Sequence, residues 1–337
     1  MTTRILATIG PNSLKEEILK RCAEADVYVF RINLSHTPVE EVAPFIEKIQ
    51  KWTDVPVCLD SEGAQLRNQN MADNGADFVR GSRVNIHFAP VLGDAENISF
   101  TPAGSVEQFE VGDTIRIDFN GTELNVVECL DDRCIATVIK SGRVGSNKAA
   151  DVGRDVNLTA ITKNDEAAIK IGRDMGIRHF ALSFANSAED VARMRSLCGP
   201  DSTIISKIES LKALANLPAI LEETDDILID RGDLSRQVSL EKIPFLQRRI
   251  IAMAKAHDVP VYVATNLLES MITAHAPTRA ELNDVVSTLL MGADGLVLAA
   301  ETAIGNYPVE AVHMIRSLAN TTRKWTSHSS IDDVLQF

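Results

Sequence analysis

The chain has 337 residues, of which 45% are hydrophobic, and a formal net charge of −13. That length allows a barrel core plus one extra module, and the apolar share is ordinary for a globular protein. The acidic balance excludes a nucleic-acid or acidic-membrane binder, so an anionic substrate needs a local basic pocket, and no apolar run approaches a membrane span.

The N-terminus runs directly into a strand-like segment at 4–9, without a signal-peptide pattern, which predicts a cytoplasmic protein. A helical stripe follows at Leu14, Ile18, Leu19 and Cys22. The second strand candidate is 27–33, followed by a helix through Phe45, Ile46 and Ile49; the third is 55–60. The alternation then breaks. Residues 68–155 read as an all-β insertion, with strands at 83–88, 114–118, 123–127 and 135–139 and a hairpin signal at Asn120-Gly121. A capping-box pattern, Thr162-Lys163-Asn164-Asp165, restarts the helical rhythm.

Five further strands are predicted at 179–184, 203–208, 226–230, 260–265 and 295–300, with helices between them. One helix carries Ile243, Leu246, Ile250, Met253 and Ala254 on one face, and the last spans 309–323. Eight βα units without a G-x-G-x-x-G turn favour a closed barrel over a doubly wound sheet. The fold class is therefore α/β: a (β/α)8 TIM barrel with a small all-β lid domain inserted after strand three. The barrel takes residues 1–67 and 156–325, the lid 68–155, and a C-terminal tail 326–337. The five cysteines (Cys22, Cys58, Cys129, Cys134, Cys198) form no C-x-x-C and read as reduced thiols. Cys129 and Cys134 leave a metal or redox pair open, without a supporting His or Cys cluster.

Barrel enzymes carry their chemistry at the C-terminal ends of the strands. Strand two ends in Arg31, Asn33 and Ser35, which share one face of an extended chain, before His36. Strand three ends in Asp60, Ser61 and Glu62; strand five in Lys207 and Glu209; strand six in Asp230, Arg231, Gly232 and Asp233. Strand seven ends in Thr265 and Asn266, and strand eight in Glu301 and Thr302. Glu209 and Asp233 offer hard oxygen ligands that suit Mg²⁺ or Mn²⁺. Arg31 and Lys207 are cations able to hold a phosphoryl group, and a short helix opening at Gly232 and Asp233 presents free N–H groups to an anion. Together they read as phosphoryl transfer, which is mostly positioning and charge stabilisation. Singly, each has a plainer reading: Lys207 and Glu209 as a structural pair, Arg31 as a solvated loop residue, His36 as a supporting residue, Glu301 as a cap, and Ser146-Asn147-Lys148 as a polar turn.

These motifs resemble the pyruvate kinase family from residue 4 to about residue 316. Thr8-Ile9-Gly10-Pro11 resembles its T-I-G-P, Arg31-Ile32-Asn33-Leu34-Ser35-His36 its R-M-N-F-S-H, and Leu59-Asp60-Ser61-Glu62-Gly63 its L-D-T-K-G, with Arg67 beyond. Ile204-Ile205-Ser206-Lys207-Ile208-Glu209 resembles I-I-S-K-I-E, the most diagnostic stretch. Arg231-Gly232-Asp233-Leu234, the segment 264–271, Pro277-Thr278-Arg279-Ala280-Glu281 and Glu301-Thr302-Ala303 resemble R-G-D-L, A-T-Q-M-L-E-S-M, P-T-R-A-E and E-T-A.

The resemblance implies transfer of a phosphoryl group from phosphoenolpyruvate to ADP, giving pyruvate and ATP. Arg31 and Lys207 would contact that group. Glu209 and Asp233 would bind Mg²⁺ or Mn²⁺. Ser183, Gly232, Asp233 and Thr265 would bind substrate, with Thr265 near the proton-donating network. Asn33, Ser35, Asp60 and Ser61 would form a K⁺ site, and Pro11, Asn33, His36, Arg67 and Lys148 would lie on the nucleotide side. The insertion would be a mobile lid, and the assembly a homodimer through the barrel. The family's C-terminal regulatory domain is expected to be absent.

The departures concern the surroundings. Gln65 stands where K⁺-dependent members carry Glu, which leaves the K⁺ requirement open. Glu62 replaces a Lys, Asn186 an Arg, Asn266 a Gln, Asp230 an Ala, Ala300 a Ser and Ile304 a Lys. Three other readings therefore stay on the table: an enol phosphate with a different acceptor, a metal-dependent 2-oxo acid aldolase or lyase, and a non-catalytic ligand sensor.

Overall fold

The computed structural model describes residues 3–63, 65–118, 121–154 and 156–336. The chain divides into two compact units, Met1–Gly63 with Lys163–Phe337, and Ala64–Thr162. In chain order the strands begin with β1 (Arg4–Thr8), β2 (Val29–Asn33) and β3 (Val57–Asp60) of the first unit. The second unit contributes β4 (Leu66–Asn68), β5 (Ala76–Phe78), β6 (Arg83–His87), β7 (Asn97–Thr101), β8 (Thr114–Ile117), β9 (Thr122–Cys129), β10 (Arg133–Lys140), β11 (Gly142–Val144) and β12 (Ala149–Val152). The first unit resumes with β13 (His179–Leu182), β14 (Thr203–Ile208), β15 (Asp226–Asp230), β16 (Val261–Ala264) and β17 (Gly295–Leu298).

The first unit's eight strands close a barrel in the order β1-β17-β16-β15-β14-β13-β3-β2, and every neighbouring pair is parallel. Its helices are α1 (Glu16–Glu24), α2 (Val39–Trp52), α3 (Lys163–Asp174), α4 (Ala188–Cys198), α5 (Leu211–Ala215), α6 (Leu217–Glu223), α7 (Arg231–Leu234), α8 (Ile243–Ala256), α9 (Arg279–Leu290), α10 (Ala300–Ala303), α11 (Pro308–Lys324) and α12 (Ile331–Leu335). None of the described helices is long and apolar enough to cross a membrane. All five cysteines are free thiols.

The interior of the barrel explains where its chemistry sits. Every strand gives a residue to one apolar layer: Leu6, Val29, Cys58, Ala181, Ile205, Leu228, Tyr262 and Val297. Side chains two residues apart face the same way along a strand. The next inward layer toward the C-terminal rim therefore contains Thr8, Arg31, Asp60, Ser183, Lys207 and Asp230. Six of eight strands thus change from apolar to polar in a single step.

The second unit folds around its own core, which includes Leu66, Val84, Ile86, Phe100, Ile115, Leu124, Val126 and Val138. Seven strands close in the order β10-β6-β7-β4-β12-β8-β9, and β11 pairs with β5 beside them. Within it β6 and β7 are parallel and the other pairs antiparallel. Because β4 belongs to this sheet, Arg67 lies in the second unit, and the first unit's first segment ends at Gly63 instead of residue 67. Asn120 of the expected hairpin turn lies outside the described residues.

Two local expectations are corrected. On α8 the buried residues are Ile243, Gln247, Ile250, Ile251 and Ala254, while Leu246 and Met253 are only half-buried. The polar Gln247 is turned inward because Nε2 donates to Thr288 Oγ1 at 3.0 Å. Ser35 does not continue the extended face of β2, because the chain enters a 3₁₀ turn at Leu34–His36.

Candidate active site

Arg31 is 4% exposed and sits beside Thr8 in the β1–β2 register. Its Nε donates to Thr8 Oγ1 at 2.9 Å and its Nη1 to Asp60 Oδ2 at 2.6 Å. Lys207, 6% exposed, reaches the same Asp60 oxygen at 3.4 Å and Ser183 Oγ at 3.0 Å. Ser183 Oγ in turn donates to Asp60 Oδ1 at 3.3 Å, and its amide to Ser61 Oγ at 3.0 Å. Asp60 thus anchors both cations from below, which leaves their fixed charge at the rim. Asn33 Oδ1 accepts the Ser35 amide at 3.0 Å and caps the 3₁₀ turn.

Glu209 is fully buried just past β14. Its Oε2 accepts the Phe184 amide at 2.7 Å, from a residue held at a φ of 51°. Its Oε1 lies 2.9 Å from Lys207 Nζ, outside hydrogen-bond geometry, and has no hydrogen-bond partner. Glu209, Asp230 and Asp233 each offer an oxygen within 4.8 Å of the others. A buried carboxylate with one oxygen free of hydrogen bonds, clustered with two more carboxylates, fits a hard divalent cation.

The electrostatics carry the same message. Burial pushes the Glu209 carboxyl up to about 8; Lys207 opposes that rise, and Asp233 and Asp230 add to it. Asp233 is likewise raised, by burial and then by Asp230, although Arg236 Nη1 pairs with its Oδ1 at 3.2 Å. Burial alone would lower Lys207, but Asp60, Glu209 and Asp230 outweigh it and hold the amine above the usual lysine range. The carboxylates therefore lack positive charge that a bound divalent cation would supply.

The rim beyond Glu209 differs from the sequence expectation in one respect. Helix α7 opens at Arg231, and Asp230 is its N-cap. Asp230 Oδ1 accepts the Gly232 amide at 3.2 Å and the Thr265 hydroxyl at 2.6 Å. The N–H expected to stand free for an anion is already bonded to a carboxylate of the chain. Thr265 and Asn266 have φ values of 75° and 56°. A β-branched residue in the left-handed region is strained, and such strain gathers at functional sites. Arg231 holds it there: Nε donates to the Thr265 carbonyl at 3.1 Å while Nη1 pairs with Asp284 at 2.7 Å.

Glu301 accepts the Leu268 and Ala299 amides at 3.2 and 2.9 Å, so it is a structural tie between two loops. Pro11 and His36 are exposed on the loops after β1 and β2. In the second unit, Arg67 Nη1 donates to the Asn147 carbonyl at 2.9 Å, and Lys148 Nζ pairs with Asp118 at 3.1 Å. Three positioning residues escaped the sequence reading. Thr8 and Asp284 hold arginines, and the fully buried Asp165 accepts the Glu62 and Gly63 amides at 2.7 and 3.3 Å. For Thr8 the signal was present: it stands two residues beyond an interior leucine.

Fold and site together define an eight-stranded parallel α/β barrel with two buried cations and three clustered carboxylates at the C-terminal ends of its strands, a set able to hold a divalent cation. The family description "Pyruvate kinase, barrel domain" matches residues 1–312. Pyruvate kinase of Geobacillus stearothermophilus is 35% identical over 98% of this chain, and that of Bacillus licheniformis 34% over 98%. The chain spans 58% of the length of each of these two relatives. Pyruvate kinase of Thermotoga maritima is 33% identical over 96% of the chain and 71% of its own length. The chain belongs to the pyruvate kinase family.

Proposed function

We propose that this chain transfers the phosphoryl group of phosphoenolpyruvate to ADP, giving pyruvate and ATP. The observation that carries the reading is the buried Arg31–Asp60–Lys207 network beside Glu209 Oε1, which is buried without a hydrogen bond. Fixed cations at a water-poor rim stabilise charge on a transferring phosphoryl group without reorganising during the step. Arg31 and Lys207 hold that group. Glu209 and Asp233 hold Mg²⁺ or Mn²⁺, which, when bound, neutralises phosphoryl oxygens. Ser183, Gly232, Asp233 and Thr265 bind the substrate, and Thr265 lies in the network that protonates the enolate carbon.

Asn33, Ser35, Asp60 and Ser61 form the monovalent-cation site, and the assay with and without K⁺ decides whether that ion is required. Pro11, Asn33 and His36 of the first unit bind the nucleotide. The protein works as a homodimer through its barrel helices, in the cytoplasm, where its free thiols persist. A coupled assay with phosphoenolpyruvate, ADP and Mg²⁺, with and without K⁺, tests the activity. Turnover no higher than that of Lys207→Met in every condition rejects it.

A further inference from the structure

Two donors converge on one oxygen at the end of β15: the Gly232 amide and the Thr265 hydroxyl, both on Asp230 Oδ1. The arrangement is built rather than incidental. The absence of a Gly232 side chain is what permits the approach. A Cβ there would meet Thr265 Cγ2 at 2.8 Å and Asp230 Oδ1 at 3.3 Å. Thr265 is kept at its strained φ by Arg231, so its hydroxyl is aimed rather than free to wander. Asp230 also stands within 4.8 Å of the oxygens of Glu209 and Asp233.

We propose that Asp230 is a specificity-determining residue: a resident carboxylate that competes with the carboxylate of the substrate for Gly232 and Thr265. The inference rests on the proposed function, in which Gly232 and Thr265 bind the substrate, and takes the two donors that meet on Asp230 Oδ1 as the place of the substrate's acid group. An incoming carboxylate must displace Asp230 and then lie beside it, where like charges in a partly buried site repel. A ligand held by Arg31 and Lys207 instead meets Asp60, which stays in place when Asp230 is changed. Asp230 therefore weighs more on a carboxylate placed at Gly232 and Thr265 than on a phosphoryl group placed at Arg31 and Lys207. Asp230 is thus a negative element that sets the order of preference among phosphoryl donors.

The test is calorimetry of the full chain, saturated with Mn²⁺, titrated with oxalate and separately with inorganic phosphate. Wild type, Asp230→Ala and Asp230→Asn are compared, and Mn²⁺ affinity is measured for each. Asp230→Ala is expected to bind oxalate at least tenfold more tightly, with phosphate affinity changed less than twofold. Asp230→Asn, which keeps an accepting oxygen but no charge, is expected to fall between. Oxalate affinity unchanged or weaker in Asp230→Ala overturns the proposal. So does parallel weakening of both ligands, which marks a purely structural cap, or a tenfold loss of Mn²⁺ affinity at constant oxalate affinity, which marks a metal ligand. These readouts need no turnover, so they stand apart from the assay of the proposed function.

Discussion

Lys207 keeps its charge while almost wholly buried because two carboxylates and a serine hydroxyl surround the amine. Methionine in its place retains the volume but leaves Asp60 and Glu209 without that cation. Lys207→Met is expected to lower turnover by roughly 10²–10³ and stability by about 3 kcal/mol, read from assay and urea unfolding. Glu209 gives a pH signature. Burial pushes its carboxyl from the usual 4.5 up to about 8, so the metal-free folded state holds a proton that the unfolded state has lost. Stability from this group therefore rises as pH falls from above 8 toward 4.5. Asp233 and Asp226 shift in the same direction. His179, pushed down by burial, opposes them only below its usual pKa of 6.5. Lys207 titrates above the window. The metal-free protein should melt at a higher temperature at about pH 6.5 than at about pH 8.5, and Mg²⁺ should narrow the gap. A metal-free protein that melts higher at the alkaline value contradicts the raised carboxyl.

At the scale of elements, the barrel closes where backbones approach without side chains. Gly295 opens β17 between Arg4 and Tyr262, and a Cβ there would lie 2.5 Å from the Arg4 carbonyl and 2.8 Å from Tyr262 Cδ1. A ladder carbonyl cannot yield as a flexible side chain can. Gly295→Ala is expected to cost about 2 kcal/mol and to lower the melting temperature by roughly 5 °C in calorimetry. In the second unit, Cys129 and Cys134 face each other across β9 and β10 with their sulfurs 3.0 Å apart. Burial raises Cys134 to about 12, so the exposed Cys129 is the thiol that attacks first. Oxidised glutathione should convert the pair to a disulfide, releasing two reduced glutathiones and removing two of the five free thiols. Five thiols still titrating in the unfolded, oxidant-treated chain would count against it. Sequence reading found this pair but could not pair it, because cross-strand register is fixed by the fold. It also missed short strands such as Ala76–Phe78 and Gly142–Val144, whose three residues carry no measurable period. The eight barrel strands were legible because fully buried parallel strands are continuous apolar runs.

Across the whole molecule, the sequence places the candidate site's main residues at strand ends but not their connections. Arg31, Lys207, Glu209 and Asp233 stand at strand ends, which the chain order alone reveals. The bond from Asp230 to Thr265 joins residues 35 positions apart and needed coordinates. The same holds for Asp165, whose buried carboxylate acts on the loop at Glu62 and Gly63 from 103 and 102 positions away. The molecule also separates its tasks. Every carboxylate of the candidate metal cluster lies in the first unit, while the second has a core of its own. Ligand binding stabilises only the body that contains the ligand's site. Calorimetry of the intact chain with increasing Mn²⁺ should therefore raise the barrel's unfolding temperature by several degrees and leave the transition of the second unit within a degree. The two are assigned by Gly295→Ala, which moves the barrel transition, and by the Cys129–Cys134 disulfide, which moves the other. If Mn²⁺ moves the transition that responds to the disulfide, the metal is held in the second unit, and the carboxylate cluster is not its site.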